Sequence, residues 1–494
     1  MSVDISKPTL PSEPEHSAMS QTPSLEQERL SLRRPVRLSP MERLTSRHVI
    51  VVGGGLAGCE VTLQLADRGV QVTLYEMKPH KRTPAQHSDS LAELVCSNSF
   101  RSDDPCNAIG LLKREMRSLG SRVMEAADQC AVPAGSALAV DRDLFSEALT
   151  SRIQEHPKVT LKHEVIERLP SPAELKERGV DAVVVCTGPL TDTHLASDIA
   201  RFAGAESLYF YDAIAPIIDA DSVNWDIVWR QSRYDKGDAD YANIPLDKEQ
   251  YYTFIEALTS GDKVTPKAFE EAKYFEGCLP IEVMAERGPE TLAHGPMKPV
   301  GLTPPSGVKP YAVAQLRMEN REATAWNMVG FQTRLTYPEQ RKIFKSLPGL
   351  EDAEFLRMGS IHRNTYLHAP SLLSDQLASV SQPSLYFAGQ ITGVEGYVES
   401  TACGQLVALH LIAHLQGASL LTPPDTTAFG AMYRHLRHEG IYSAYTPSNL
   451  NWSFFAPMSR AHRREKKHEK RARMAERAEV ALSTWWGEVA DLLS

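Results

Sequence analysis

The chain has 494 residues, 42% of them hydrophobic and 23% charged, a length that predicts two or more domains rather than one core. No apolar run approaches the roughly 20 residues needed to span a bilayer, which excludes a helical membrane protein, and a formal net charge of −9 leaves any nucleic-acid surface to be local. Seven scattered cysteines without C-x-x-C spacing argue against a disulfide framework or zinc ribbon, and for a reducing, cytoplasmic setting with no metal site.

Residues 1–47 carry scattered prolines, serines and charges, with no sustained period and no apolar signal-peptide core; a disordered leader is expected. His48–Val52 is a run of β-branched residues that reads as a buried strand. Gly53, Gly55 and Gly58 then complete G-x-G-x-x-G, with Gly54, Leu56 and Ala57 filling the loop. The first glycine permits the tight turn, the second lets backbone approach a pyrophosphate, and the third allows close helix–strand packing. A helix runs on from Cys59 to Arg68, and its positive N-terminal end suits phosphate. Gly69 ends it, and Gln71–Glu76 reads as the second parallel strand, with Glu76 placed 18 residues beyond Gly58 to meet a ribose. Strand, glycines, helix, strand and acid in this order predict a dinucleotide site. They do not separate FAD from NAD.

A polar, poorly periodic stretch from Met77 to Ser90 leads into Leu94-Val95-Cys96-Ser97-Asn98-Ser99-Phe100-Arg101-Ser102, whose small hydroxyl and amide residues suggest a hydrogen-bonded loop around a cysteine. A free thiol is more often a small buried side chain than a reactive one. Asn107 to Leu119 reads as a helix, and Asp181 to Gly188 as a third central parallel strand. Leu385 to Gln390 repeats that apolar pattern and is followed by Thr392-Gly393-Val394-Glu395-Gly396-Tyr397 and a helix from about Glu399 to Leu415. A second strand, glycine turn and helix N-terminus make another cofactor cradle.

Two such elements about 200 residues apart imply an α/β, Rossmann-like domain interrupted by an inserted α+β domain. The expected borders are 48–204 and 351–420 for the two parts of the cofactor domain, 205–350 for the insertion and 421–494 for a C-terminal helical, basic segment. Inside the insertion, Cys278 lies between Gly277 and Leu279-Pro280, a turn of restricted backbone freedom. Ser459 to Arg477 holds nine Lys/Arg against three Glu. It fits a solvated helix with Glu469 and Arg473 as an i,i+4 pair, or a contact to a phosphate backbone.

Four stretches together closely resemble the TrmFO family, the folate- and FAD-dependent tRNA (uracil-5-)-methyltransferases of bacteria. They are Val51 to Glu60, Leu94 to Ser99, Phe275 to Glu282 and Gly393 to Ser400. The resemblance covers about residues 48–450, and its FAD motifs alone are also similar to the GidA (MnmG) proteins. It implies an FAD-binding Rossmann-like domain and methylation of uridine 54 in the tRNA T loop. Methylenetetrahydrofolate gives the carbon, and reduced FAD, recharged by NAD(P)H, gives the reducing equivalents. The family's two functional cysteines fall on Cys96 and Cys278. Uracil carbon 5 becomes nucleophilic once a thiolate adds at carbon 6, a role carried over to Cys278. Cys96 is then the base that removes the carbon-5 proton, and the two roles are open to exchange.

Flavin contacts are expected from Gly389, Gln390, Gly393, Glu395 and Gly396, besides the first glycine loop. For folate the resemblance points to Tyr337, which stands where many relatives carry tryptophan and offers a ring for a pterin, and to His362 and Arg363. Partners are thus tRNA, folate and NAD(P)H, with no membrane, and a monomer is the expectation. A GidA-like uridine modification, a plain FAD/NAD(P)H oxidoreductase and a tRNA-binding factor with structural flavin are the competing readings. Against these, the folate- and FAD-dependent methyltransferase is the reading that the paired cysteine motifs favour.

Overall fold

The computed structural model describes residues 44–493 apart from 84, 205–207, 236–237, 265–278, 321, 438–444, 446, 460 and 463–464, with side chains also left out at 208–214 and 361–365. Cys278 and residues 1–43 of the expected leader lie outside the described residues. Residues 44–47, grouped with that leader from sequence, belong to the folded unit. Leu44 is buried in the main core, and Arg47 pairs with Asp181 at 2.7 Å.

The Val/Ile-rich segments form a five-stranded parallel sheet in the order Leu385–Phe387, Ala182–Val185, His48–Val52, Gln71–Glu76, Val159–His163. Val49, Val51 and residues 182–185 are fully buried, as expected of strands covered on both faces. The helices Leu56–Ala66 and Tyr397–Leu415 cross in close contact: a Cβ on Gly404 would lie 2.7 Å from the Ala57 carbonyl oxygen. Both helices begin at the carboxyl edge of the sheet, where open α/β sheets bind ligands.

Between Ala182–Val185 and Leu385–Phe387 the chain builds a second, six-stranded antiparallel sheet. Its order is Trp229–Arg230, Tyr241–Leu246, Ala312–Met318, Ala325–Val329, Ile217–Asp219, Phe355–Arg357. Its own core includes Trp326, Phe254, Phe331 and Phe344. The antiparallel pair Leu208–Ile214 and Ser360–Tyr366 carries the chain out of the first sheet's territory and back. Cys96 precedes a strand, Ser99–Ser102, which pairs with Ala137–Val140; the loop expected over this whole stretch therefore ends at Asn98.

The C-terminal helix, Lys467–Leu493, buries Met474, Ala478, Leu482, Trp485 and Val489 and leaves Lys466, Lys467 and His468 exposed. Arg473 pairs with Glu465 at 2.7 Å rather than with Glu469. The helix starts only at Lys467, so Glu465 folds back onto it, while Glu469 accepts the Lys466 N–H at 2.7 Å.

Glu115, in the Ala108–Ser118 helix, is buried and accepts the N–H groups of Ala428 and Phe429 at 2.8 and 3.0 Å, which caps the Ala428–Arg437 helix. Burial pushes its carboxyl up from 4.5 to about 8 despite those two donors. With the folded value raised, this contribution to stability is complete below pH 4.5 and is lost as pH climbs through about 8. Glu115→Gln keeps the shape and cannot ionise. Its apparent Tm should trail that of the native protein at about pH 6.5 and match or exceed it at about pH 9.5. Thermal unfolding at both pH values reads this, and a gap that stays constant would refute it.

Candidate active site

A cleft with an empty volume of about 1070 Å³ opens at the carboxyl edge of the parallel sheet, lined by residues 53–57, Glu76, Cys186, Thr187, Gly389, Gln390 and Tyr397 among others. The glycine loop is fixed by contacts only glycine allows. At Gly58 a Cβ would sit 1.8 Å from the Gly53 carbonyl oxygen, and at Gly53 (φ +102°) it would sit 2.7 Å from that of Cys186. At Gly55 a Cβ would meet nothing within 4 Å and would project into open space. Gly55 is the N-cap of Leu56–Ala66 and offers no side-chain cap, so the helix's first N–H groups are left for a ligand. Glu76 is buried at the end of its strand. One carboxylate oxygen accepts the Gly54 N–H at 2.8 Å and the other the Lys78 N–H at 3.0 Å.

The second cradle closes the cleft from the opposite side. Gln390 donates its amide N–H to both oxygens of Glu395 at 2.7 Å, which leaves its carbonyl oxygen for the cleft. Gly389 and Gln390 are among the residues lining the cleft, whereas Gly393, Glu395 and Gly396 are not, and Glu395 reaches it through Gln390. His435 meets the Gly393 carbonyl at 3.1 Å and stacks between Tyr445 and Phe454, and Tyr445 donates to the Thr392 carbonyl.

The Cys96 loop is held beside this cleft. Tyr397, the first residue of its helix and a cleft residue, accepts the N–H groups of Cys96 and Ser97 at 2.6 and 3.1 Å. Arg142 donates to the Leu94 carbonyl and to Glu319, at 2.7 Å for the latter. Arg317, from the inserted sheet, donates to Ser97 Oγ at 2.7 Å and Asn98 Oδ1 at 3.1 Å. Asn98, with no exposed surface, donates in turn to the Val140 and Met318 carbonyls at 3.0 and 2.8 Å. Cys96 itself is half-buried. Cys59, Cys186 and Cys403 are buried, and burial pushes their thiols up, so they pack rather than react. Burial likewise pushes the Tyr397 phenol up.

The stretch that contains Cys278 is anchored at both ends to one loop. The Val264 N–H donates to the Arg334 carbonyl at 2.7 Å, and the Ile281 N–H to the Gln332 carbonyl at 2.7 Å. Glu282, fully buried, accepts Thr333 Oγ1 at 2.9 Å and the Arg334 N–H at 2.8 Å, and burial pushes its carboxyl up. Tyr337 opens the next helix, Tyr337–Phe344, with its side chain 52% exposed. Gln340 of that helix exchanges hydrogen bonds with Gly359, at 2.8 and 2.9 Å, just ahead of the strand that carries His362 and Arg363. The two segments expected to meet folate are thus tied together, while the His362 and Arg363 side chains lie outside the description.

Sequence reasoning missed Tyr397, Arg142, Arg317 and Glu319. Only Tyr397 had a local signal, as the first helical residue after a glycine-rich turn. The arginines reach the cysteine loop from 48 and 220 residues away.

A family profile described as glucose inhibited division protein A (GidA) matches residues 48–419. The chain is 55% identical over 444 residues to the methylenetetrahydrofolate--tRNA-(uracil-5-)-methyltransferase TrmFO of Myxococcus xanthus, covering 89% of this chain and 94% of that one. It is 51% identical over 447 residues to the protein of the same name from Citrifermentans bemidjiense, covering 90% and 100%. Among solved structures, Aquifex aeolicus GidA matches with a TM-score of 0.63 at 18% identity, over 90% of this chain and 76% of that chain, which is a likeness of fold. The chain therefore belongs to the GidA family, and within it to the TrmFO proteins.

Proposed function

We propose that this chain moves a one-carbon unit from methylenetetrahydrofolate to carbon 5 of a tRNA uridine, that of the T loop at position 54, and reduces it to a methyl group. The observation that carries the reading is the Cys96 loop seated at the dinucleotide cleft, in a chain 55% identical over 89% of its length to a protein named for this reaction. A plain oxidoreductase would need the cleft but not the buried hydrogen bonds spent on that loop.

The cleft suits FAD. Gly55 and the N-terminus of the Leu56–Ala66 helix would hold the pyrophosphate, Glu76 the adenosine ribose, and the Gln390 carbonyl a hydroxyl of the ribityl chain. Bound FAD, recharged by NAD(P)H, supplies the electron pair that turns a methylene carbon into a methyl group. The chain's own residues do the rest. Uracil carbon 5 is a weak nucleophile until a thiolate adds at carbon 6, the step we assign to Cys278. The carbon-5 proton must then leave, and we assign its removal to Cys96. Tyr397 holds the backbone of that thiol, and Tyr337, with His362 and Arg363, is the proposed folate contact. The exposed Lys466 and Lys467 offer a local positive surface to the tRNA backbone in a chain of net charge −9.

Label transfer tests the reaction class. With FAD and NADPH present, label from methylene-labelled tetrahydrofolate should reach the T-loop uridine of a tRNA transcript, and Cys278→Ala should abolish it. Label arriving from S-adenosylmethionine instead, or NADPH consumed without label on RNA, would overturn the proposal. The glycine loop gives a second prediction. Gly55→Ala adds a Cβ that meets only open space, at a backbone conformation alanine accepts (φ −76°, ψ −171°). It should fold normally and hold FAD about tenfold more weakly, or about 1.4 kcal/mol. Gly58→Ala, 1.8 Å from a carbonyl oxygen, should lower Tm as well. Fluorescence titration of FAD together with thermal unfolding separates the two, and equal Tm losses would contradict it.

A further inference from the structure

Arg317 is a buried cation with neutral partners. It projects from the second-last position of Ala312–Met318, is 7% exposed, and gives its hydrogen bonds to the Ser97 hydroxyl and the Asn98 amide oxygen. Among the described residues Arg317 forms no ion pair, so a guanidinium is taken out of water against neutral acceptors alone, a penalty that a methionine or leucine in this strand would avoid. A side chain that is expensive for stability and ends on the two residues after a thiol has its use at that thiol.

The loop geometry says what the use is. Leu94 is held by Arg142, the Cys96 and Ser97 N–H groups by Tyr397, and Ser97 and Asn98 by Arg317. Arg142 and Tyr397 come from the cofactor half of the molecule, and Arg317 alone among these three comes from the inserted sheet. The Ser97 hydroxyl is the junction: it accepts both Arg317 Nη2 at 2.7 Å and the Ser99 N–H at 3.1 Å, which fixes the turn immediately after Cys96. The sheet that carries Arg317 also leads, through Ala325–Val329, into the loop at 332–334 that anchors Val264 and Ile281.

We infer that Arg317 is a positioning residue for Cys96, a fork from the inserted domain that sets where the thiol stands relative to the cofactor cleft. A planar, two-pronged donor of fixed geometry suits two acceptors on adjacent residues that must be held at once; a lysine offers a single flexible point charge without that fork. The inference rests on the proposed methyl transfer for its purpose, but its test does not require that reaction.

The test is the rate at which iodoacetamide alkylates Cys96 at one fixed pH, relative to Cys106 in the same molecule, read by peptide mass spectrometry on the FAD-loaded protein. Cys106 is half-buried in a separate loop and serves as the internal standard. In Arg317→Met the Cys96/Cys106 ratio should change at least about fivefold, with FAD content and Tm held; Arg317→Lys, with one bond left, should fall between. Where methyl transfer is measurable, kcat should drop about 100-fold, the scale of a 1 Å misplacement, with KM for folate and tRNA nearly unchanged. A ratio that stays put in both variants overturns the inference, as does one that moves only together with Tm or FAD loss. If the native protein transfers no label to tRNA, the proposed function fails, and the alkylation ratio still decides the role of Arg317.

Discussion

One buried amide joins the two halves of this molecule. Asn98 has no exposed surface, and its side chain donates to a carbonyl of the cofactor half, Val140, and to one of the inserted sheet, Met318, while accepting from Arg317. Three of its four hydrogen-bonding positions are thereby filled, two of them across a domain boundary. Buried polar groups cost free energy unless each finds its partner, so this junction tolerates little sliding. A shift of about 1 Å would break several of these bonds together. The cysteine two residues earlier inherits that rigidity, and so does its distance to the cofactor cleft.

The same economy of satisfied burial recurs wherever the chain must hold an element still. Glu60 in the first cofactor helix accepts Ser121 Oγ and the Val123 N–H at 2.9 Å, fixing the helix that follows. Glu115 does the same for Ala428–Arg437, Glu282 for the turn at 333–334, and Gln340 for Gly359. Each is a fully or almost fully buried polar side chain spent on backbone groups of a segment distant in sequence. Apolar packing supplies the bulk of the stability, but it is non-directional. Hydrogen bonds of this kind set the register between packed parts.

How much of this was legible in the sequence follows from the range of the forces. The glycine loop, Glu76 and the strands around them are dictated by neighbours within about 30 residues, so Gly53, Gly55, Gly58 and Glu76 could be placed from sequence at one strand–helix turn, where Glu76 accepts the Gly54 N–H. The second cradle was legible in its strand and turn, yet the division of labour within it was not: that Gln390 faces the cleft and Glu395 stands behind depends on which side chain the three-dimensional turn sends inward. The Arg473 pairing was misread because i,i+4 spacing within the helix favours Glu469, whereas Glu465 returns from outside the helix to take the guanidinium and Glu469 accepts the Lys466 N–H instead. At Cys96 the loop could be recognised, and the motif pointed to a thiol with work to do. Its supports could not be, since Arg317 and Tyr397 lie 220 and 301 residues away and no local pattern ties either of them to the cysteine.

Topology explains why those supports must be remote. The chain leaves the parallel sheet after Ala182–Val185, builds a separate core, and returns for Leu385–Phe387. A reaction that needs a thiol from each half would therefore place its two sulfurs on bodies whose chain connection, among the described residues, is a two-stranded ribbon, Leu208–Ile214 with Ser360–Tyr366. Such a ribbon alone is only marginally stable and would let the halves rock. Covalent catalysis at one pyrimidine ring leaves tolerance of only a fraction of an ångström. The polar seam through Asn98, Arg317, Arg142 and Glu319 removes that freedom. It cannot be replaced by apolar contact, because a greasy interface would bind the halves without fixing which atom faces which. The buried charges of this seam thus fix the Cys96 loop and the cofactor cleft against a second, separate core.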